Sequence, residues 1–243
     1  MVTNREQDLI MGHIFFVPQQ VNNLDFAIPS QAQGLTSQIL DTQIPTNMLE
    51  DKWPTPVKIQ VLQDYLLQSN YDSQEIEYLV DGFSVFSEKF TAQVNCPNLR
   101  SALERPEIVK EKICKELLAG RVAGPFLHRP CENFNVSPLG LCPKKEKNKF
   151  RLIFHLSHPH GDSVNDFIPQ EFSTVHYTNI ADAINGIKTF DTCFLAKTDI
   201  SMAYRNLPLK PQEYHLLGFK WNDLFYYDRC RPMGCSSSCQ IFE

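Results

Sequence analysis

The residue pattern changes character near residue 123, and this change limits the possible folds more than any other feature of the sequence. Before it, apolar residues recur at the three- and four-residue intervals of helices, and after it, short apolar runs alternate with turns. A chain with helices in one part and strands in another is typical of the α+β class. We therefore predict an α+β fold, with a helical segment at 51–122 and a strand-rich domain at 123–243.

Residues 1–50 form a third region, rich in Gln, Asn, Thr and Ser, in which no helical or strand period persists. We predict a largely disordered leader there, whose apolar tripeptide at 14–16 could dock on another surface. No run approaches the roughly 20 apolar residues that span a bilayer, so we expect no membrane association. Eight cysteines without a secretory signal favour a reducing intracellular compartment, cytoplasmic or nuclear.

Three helices are predicted in the segment 51–122. The first ends near Gln68, the second ends at Gly82, and the third runs from Pro106 to Gly120. In the third helix the apolar residues recur at four-residue intervals and form one stripe, as expected of a helix that packs on a core. These helices are therefore interpreted as a packed support for the domain that follows.

The domain at 123–243 is predicted to contain a strand–turn–strand at 137–157, a short helix at 182–188, a buried strand at 192–199 and a hairpin at 215–229. Asn222 and Asp223 are expected at the turn of the last hairpin, since both tolerate positive φ. The chain ends in a tight turn that enters a further helix.

A carboxylate, Asp199, stands at the end of the predicted buried strand. One interpretation is structural, because a carboxylate at a strand end often caps the next turn. The other is metal binding, since a rigidly held carboxylate can bind Mg²⁺, which prefers one or two carboxylates together with substrate phosphates. In the second case the next residues would turn the chain beside the site and place Tyr204 close to the metal-bound group.

Five basic residues are concentrated in one turn and at the start of the strand after it: Lys144, Lys145, Lys147, Lys149 and Arg151. A lysine-rich turn is usually a solvated hairpin tip. Arg151, however, begins an apolar strand, where a solvated tip would not need it, and its guanidinium could hold a triphosphate through paired hydrogen bonds. Because the net charge of the chain is −5, any contact with nucleic acid should be local.

The segment RPMGCSSS at 231–238 combines a tight turn with a run of small residues. Proline and glycine make the turn rigid, and small residues allow a base or a backbone to approach closely. The turn residues Pro232, Met233 and Gly234 are therefore candidates for a binding surface.

Together, these motifs resemble the reverse transcriptases of DIRS-type retrotransposons, the elements that also encode a tyrosine recombinase. The resemblance extends from about residue 126 to residue 243 and rests on collinear motifs: SPLGLCPKK, FRLIFHLSHPHGDSVNDFIP, LAKTDISMAYRNLPL, LLGF, YYDRCRPMGCSSSC and a final FE. Residues 55–124 are similar to the helical segment that precedes this domain in the same elements. The resemblance implies the fingers and a partial palm of a right-hand polymerase.

The resemblance also implies a role for each matching residue. Asp199 would be the first catalytic aspartate and would bind both Mg²⁺ ions with the backbone carbonyl of Ile200, while Tyr204 would be the steric gate that excludes a 2′-hydroxyl. The remaining residues would bind the nucleotide: the triphosphate by Arg151 with Lys144, Lys145, Lys147 and Lys149, and the base pocket by Pro232, Met233 and Gly234. The implied partners are an RNA or DNA template–primer and a dNTP, and the implied chemistry is two-metal phosphoryl transfer.

The sequence departs from the family in one decisive respect. The family carries a pair of adjacent aspartates on a hairpin after the Pro-Met-Gly segment, and no Asp-Asp dipeptide occurs in these 243 residues. One carboxylate cannot hold two ions roughly 4 Å apart. We therefore expect a truncated and catalytically incomplete fragment of a reverse transcriptase. The alternative is a non-catalytic nucleic-acid-binding or protein-interaction module derived from a retroelement.

Overall fold

The computed structural model describes residues 14–16, 54–69, 73–88, 96–175, 177, 179–189, 195–197 and 199–242. The chain divides into two compact units. The first comprises residues 1–48, 176–201 and 243, and the second comprises residues 49–175 and 202–242. Both units contain helix and strand, which confirms the predicted mixture of the two.

The helices in the described ranges are α1 (Ile59–Gln68), α2 (Ser73–Asp81), α3 (Arg100–Leu103), α4 (Pro106–Leu118), α5 (Ile180–Lys188) and α6 (Ser238–Phe242). The strands are β1 (Ile14–Phe16), β2 (Val122–Phe126), β3 (Leu139–Pro143), β4 (Phe150–Phe154), β5 (Leu195–Lys197), β6 (Gly218–Trp221) and β7 (Leu224–Asp228). Short 3₁₀ helices lie at Val164–Phe167, Gln170–Phe172, Ala203–Asn206 and Pro211–Leu217. The predicted helices that correspond to α1, α2, α4 and α5 are confirmed.

The second unit contains a three-stranded antiparallel sheet in the order β2–β7–β6. β6 and β7 form the predicted hairpin, and its turn residues Asn222 and Asp223 have φ values of +49° and +63°, as a type I′ turn requires. The hairpin starts at Gly218, later than predicted, because Pro211 begins a 3₁₀ helix that continues to Leu217. β7 is therefore the central strand and has a partner on each side.

A separate hairpin, β3–β4, has an unbroken antiparallel register from Leu139 opposite Phe154 to Pro143 opposite Phe150. It is the strand–turn–strand predicted for 137–157. Helix α4 buries the predicted stripe, whose members are Val109, Ile113 and Leu117. Burial of such aliphatic side chains stabilises the fold by about 1.5–3 kcal/mol each.

A non-helical segment at 82–88 follows α2 and pairs with the chain near Leu209. Gly82 ends α2 with a φ of +91°, and a Cβ at this position would lie 2.6 Å from the backbone carbon of Leu209. Only glycine accepts both the conformation and the close approach. The next residue, Phe83, then bridges in parallel to Leu209, and its N–H donates to the carbonyl of Pro208 at 2.8 Å.

In the first unit, β1 pairs antiparallel with β5, with Phe15 opposite Ala196. The tripeptide at 14–16 thus has a strand partner within the chain, while the rest of the predicted leader lies outside the described residues. Helix α5 starts with a capping box, in which the Asn179 side chain accepts from Asp182 N–H at 3.1 Å and the Asp182 carboxylate accepts from Asn179 N–H at 3.0 Å. Within the described ranges, no helix combines the length and apolar character that crossing a bilayer requires.

Candidate functional site

The basic residues singled out from the sequence lie on the β3–β4 hairpin. Its tip is closed by a backbone hydrogen bond from Lys144 N–H to the Lys149 carbonyl at 2.8 Å, and Asn148 takes up a φ of +60° to complete the turn. The four lysines, Lys144, Lys145, Lys147 and Lys149, are exposed, and Lys149 forms an ion pair with Glu146. The structure therefore gathers the predicted lysines on one projecting tip.

Arg151 lies on the strand that leaves this tip. It is exposed and stands opposite Cys142 across the hairpin, whereas Phe154 at the far end of β4 is buried. The strand thus connects the charged tip to the core. Arg151 is therefore exposed to solvent, two residues after Lys149 in the sequence.

The Pro-Met-Gly turn packs against the buried end of β4. Pro232 is buried, Met233 is 69% exposed, and Gly234 is half-buried. A Cβ on Gly234 would overlap the carbonyl oxygen of Phe154, so no larger residue fits without moving the turn or the strand. The predicted pocket residues and the strand that carries Arg151 are therefore in direct contact.

The side chain of Asn165 holds this turn from the opposite side. Its Nδ2 donates to the Gly234 carbonyl at 2.9 Å and to Ser157 Oγ at 2.8 Å, and its Oδ1 accepts from Ser236 N–H at 3.0 Å. Asn165 follows Ser163, whose capping box with Asp166 fixes the 3₁₀ turn at Val164–Phe167. The role of Asn165 was not predicted, since its partners on the turn are about 70 residues away in the chain.

Tyr204, the predicted steric gate, lies on the 3₁₀ helix Ala203–Asn206. Its hydroxyl lies 3.1 Å from the sulfur of Cys239, and its ring meets the ring of Phe242 edge to face at 5.7 Å. Both partners belong to α6, the helix that follows the Pro-Met-Gly turn. The structure thus connects Tyr204 to that turn through one short helix, and neither partner was identified from the sequence.

Asp199 and Ile200 follow β5 in the first unit, whereas Tyr204, Arg151 and the Pro-Met-Gly turn belong to the second unit. Asp199 is exposed, and Ile200 is 52% exposed. The carboxylate of Asp199 is therefore accessible to solvent, which is compatible with both interpretations given for it above. In the parts of the chain that the structure describes, no three His, Cys, Asp or Glu side chains converge as a metal site.

A buried group of charges lies directly beside Tyr204. Arg205 Nη2 is 2.6 Å from Glu116 Oε2, and Arg205 Nη1 is 2.6 Å from Asp228 Oδ1. Arg121 also pairs with Glu116, at 2.8 Å. These four residues join α4, the start of β2, the 3₁₀ helix after Met202, and the end of β7, so they fix the backbone that carries Tyr204.

Burial and pairing shift the pKa values in this group in different directions. Burial raises the pKa of Asp228 to about 6, although the Arg205 guanidinium opposes the rise. For Glu116, burial is outweighed by hydrogen bonds and attraction from Arg121 and Arg205, which lower its pKa. Burial is likewise outweighed at Arg205, whose pKa is raised by Asp228 and Glu116. All three groups are therefore charged at neutral pH, and each depends on its partners for that state.

No protein-family model matches this chain, and no curated protein matches it. Among solved structures it is similar to a foamy viral protease–reverse transcriptase in complex with double-stranded DNA, with 13% sequence identity and a TM-score of 0.43 over 77% of this chain and 34% of that chain. It is also similar to the protease–reverse transcriptase of prototype foamy virus (CSH mutant), with 15% identity and a TM-score of 0.45 over 82% of this chain and 26% of that chain. A third similar structure is the foamy viral enzyme in complex with an RNA/DNA hybrid, with 14% identity and a TM-score of 0.43 over 76% and 26% of the two chains.

This chain spans only 34%, 26% and 26% of the length of these three protease–reverse transcriptase chains. Likeness at these TM-scores assigns neither the role of any residue nor a division into fingers and palm.

Proposed function

We propose that this chain is the fingers and the first part of the palm of a reverse transcriptase of the DIRS type, and that it binds a template–primer duplex and a dNTP. The observation that carries the proposal is the contact between the basic hairpin and the Pro-Met-Gly turn. Arg151 and the Phe154 carbonyl that covers Gly234 are three residues apart on β4, which corresponds to about 10 Å along a strand. One nucleoside triphosphate is long enough to contact both.

In this proposal the exposed lysines and Arg151 bind phosphates, and the turn at 232–234 contacts the base pair that is being formed. Tyr204 contacts the sugar and excludes a 2′-hydroxyl, the group that distinguishes ribonucleotides. Contacts to phosphates dominate the affinity, so binding is expected to be sequence-tolerant and to weaken with salt.

Two-metal chemistry does not fit the residues that the structure describes, among which no three His, Cys, Asp or Glu side chains converge. Asp199 is a single exposed carboxylate, and it can contribute to at most one hard cation that substrate phosphates also bind. Two ions about 4 Å apart need further carboxylates. We therefore assign no metal-dependent step to this chain, and we propose that the 243 residues by themselves bind nucleic acid without extending a primer.

Fluorescence anisotropy with a labelled RNA/DNA template–primer tests the binding function. The double variant K144Q/K145Q should bind less tightly, and the slope of log K against log salt concentration should become shallower by about 0.7–0.9 for each phosphate that is no longer neutralised. The matched control is K58Q/K115Q, which removes two exposed lysines from other surfaces and should leave the slope unchanged.

Two results would contradict the proposal. Affinity that does not respond to salt or to the hairpin lysines would favour the alternative of a protein-interaction module. Primer extension by the 243-residue chain, abolished in Asp199→Ala, would show that one carboxylate suffices and would refute the argument from the number of ligands.

A further inference from the structure

Arg231, immediately before the Pro-Met-Gly turn, is the largest fully buried side chain among the described residues. None of the ion pairs in the described ranges involves it. Its Nη1 donates to Ser237 Oγ at 2.8 Å, and its Nη2 donates to the carbonyl of Ser84. A buried guanidinium that had only neutral partners would be costly, because burial removes the hydration of the charge.

The carboxylate of Glu213 accepts hydrogen bonds from Ser84 and Val85, the same two residues whose shared peptide accepts from Arg231. Glu213 Oε2 accepts from Val85 N–H at 2.5 Å, and Glu213 Oε1 accepts from Ser84 Oγ at 2.7 Å. The Ser84 carbonyl and the Val85 N–H belong to one peptide group. That peptide group therefore lies between the two charges, with its N–H facing the carboxylate and its C=O facing the guanidinium.

The peptide compensates the buried charge of Arg231, although Arg231 and Glu213 do not touch each other. A peptide group has a dipole of about 3.5 D, and here its negative end meets Arg231 while its positive end meets Glu213. Burial lowers the pKa of Arg231, and the nearby Glu213 carboxylate acts in the opposite direction. Glu213 and Arg231 thus carry opposite charges on the two sides of one peptide of the segment at 82–88, and together they form a peptide-bridged pair without direct contact.

The bridged pair also fixes both ends of the Pro-Met-Gly turn. Arg231 is the residue before the turn, and Ser237, which accepts from Arg231, donates in turn to the Val85 carbonyl at 2.8 Å. Ser238 Oγ donates to the Pro232 carbonyl at 2.8 Å and closes the turn. The position of the turn therefore depends on two consecutive peptides, Ser84–Val85 and Val85–Phe86, which lie about 150 residues earlier in the chain.

We propose that Arg231 and Glu213 are positioning residues for the nucleotide-binding turn at 232–234, and that they act through the Ser84–Val85 peptide. This inference rests on the proposed function, because the turn binds a nucleotide only if that function is correct. It also implies that the segment at 82–88 is an essential part of the binding site.

Hydrogen–deuterium exchange and template–primer binding together test the proposal. In R231M, the amides of Cys235, Ser236 and Ser238 should exchange faster, while the amides of the β6–β7 hairpin keep their protection. Template–primer affinity should fall by about tenfold, which corresponds to 1.4 kcal/mol, with an unchanged salt slope, since every group that neutralises a phosphate remains. R231K keeps the charge and should recover part of both effects.

The matched control is R229M, which removes another buried arginine whose Nη1 donates to the Gly120 carbonyl at 3.2 Å. It should lower stability without selective exchange at the turn. The variant E213Q keeps an acceptor oxygen for Val85 N–H, removes the charge, and replaces the oxygen that accepts from Ser84 Oγ by an amide NH2 group. It should give the same pattern as R231M in a milder form. The double variant should exchange no faster at the turn than R231M alone, because both changes interrupt one pair.

Wild-type exchange at the turn and wild-type affinity in a folded R231M would overturn the proposal and leave Arg231 a purely structural residue. If R231M does not fold, unchanged turn exchange in E213Q has the same consequence. If the wild-type chain does not bind template–primer, the proposed function fails, while the exchange measurements still decide whether the bridged pair positions the turn.

Discussion

Replacement of Arg205 by methionine is the sharpest test of how the chain holds the backbone around Tyr204. Methionine has a similar length and fills the space, but it leaves two carboxylates without their shared cation. The side chains of Arg205 and Asp228 are only 12% and 8% exposed, so water does not replace the missing partner. Glu116 keeps Arg121, whereas the ion pair between Arg205 and Asp228 disappears outright.

The expected loss of stability follows from the geometry of the pairs. At an effective dielectric constant of about 20, unit charges 2.6 Å apart attract by about 6 kcal/mol, and desolvation offsets part of this attraction. Removal of one member of a buried pair costs about 3–5 kcal/mol, because the other member remains buried and uncompensated. We expect R205M to lose about that much free energy of unfolding at pH 8.

The loss should shrink as the pH falls, and the sign follows from the pKa of Asp228. Burial raises this pKa from 3.8 to about 6. Protonated Asp228 therefore contributes a free energy of folding that is fully present below pH 3.8 and is lost as the pH rises through 6. Without Arg205 the pKa rises further, and Asp228 is then protonated at a pH where the wild type is not. Each pH unit is worth up to about 1.4 kcal/mol, and the wild type itself gains about 0.4 kcal/mol because Asp228 is half-protonated at pH 6. The difference in free energy of unfolding between variant and wild type should therefore fall by up to about 2.3 kcal/mol from pH 8 to pH 6.

Glu116 affects the pH dependence only at lower pH. Its pKa is lowered from 4.5, so its contribution is present above pH 4.5 and is lost as the pH falls below that value. Between pH 6 and pH 8, the change in the stability difference between R205M and wild type therefore reports on Asp228 and not on Glu116.

Urea denaturation of wild type and R205M at pH 6, 7 and 8 measures both effects. The control is R100M, which removes an exposed ion pair with Glu104 at 2.7 Å, where the arginine side chain is 91% exposed, and should change stability by less than about 1 kcal/mol at any of these pH values. A loss below about 1 kcal/mol in R205M, or a loss that grows toward pH 6, would refute the assignment of a buried and mutually dependent group of charges.

Two further predictions concern the turn and a buried thiol. Gly234→Ala should destabilise the protein by about 1–3 kcal/mol, because the new methyl group overlaps the Phe154 carbonyl; the exposed neighbour Ser236→Ala should change stability by less than about 0.5 kcal/mol, and equal urea midpoints for both would contradict the close approach. Cys230 is buried, and burial raises its thiol pKa to about 12, so a thiol reagent at pH 8 should modify the exposed Cys142 and leave Cys230 intact until the protein unfolds. Modification of both thiols at one rate in the folded protein would show that Cys230 is accessible.

The elements that could be predicted from the sequence are those with local causes. Helix α4 has a proline in its first turn and one apolar stripe, and Gly120 follows its end with a φ of +71°. Asn222 and Asp223 supply the two positive φ values that the β6–β7 turn needs. The lysine-rich tip was predictable for the same reason, since neighbours in the sequence of a hairpin turn are neighbours in space.

The contacts that organise the candidate site could not be predicted in this way. Arg205 and Glu116 are 89 residues apart, and Arg231 and Ser84 are 147 residues apart. In the sequence, Glu116 lies outside the apolar stripe of α4, as a solvent-exposed glutamate would. Periodicity indicates which apolar residues are buried, but a buried charge is acceptable only where a partner arrives from elsewhere in the chain, and that depends on the complete fold.

Asp199 and Asp228 show why a strand-end carboxylate cannot be interpreted from its position alone. Both come at the end of an apolar run, and in the sequence either could be the residue that leaves the core. Asp228 ends β7, the central strand of its sheet, and is 6% exposed and paired with Arg205. Asp199 follows β5, a strand of a two-stranded sheet, and is exposed. A central strand has neighbours on both sides that exclude water, so its terminal carboxylate needs a cation from the protein. A carboxylate beyond a two-stranded sheet can keep its hydration, so Asp199 is accessible to an external cation, whereas Asp228 is not.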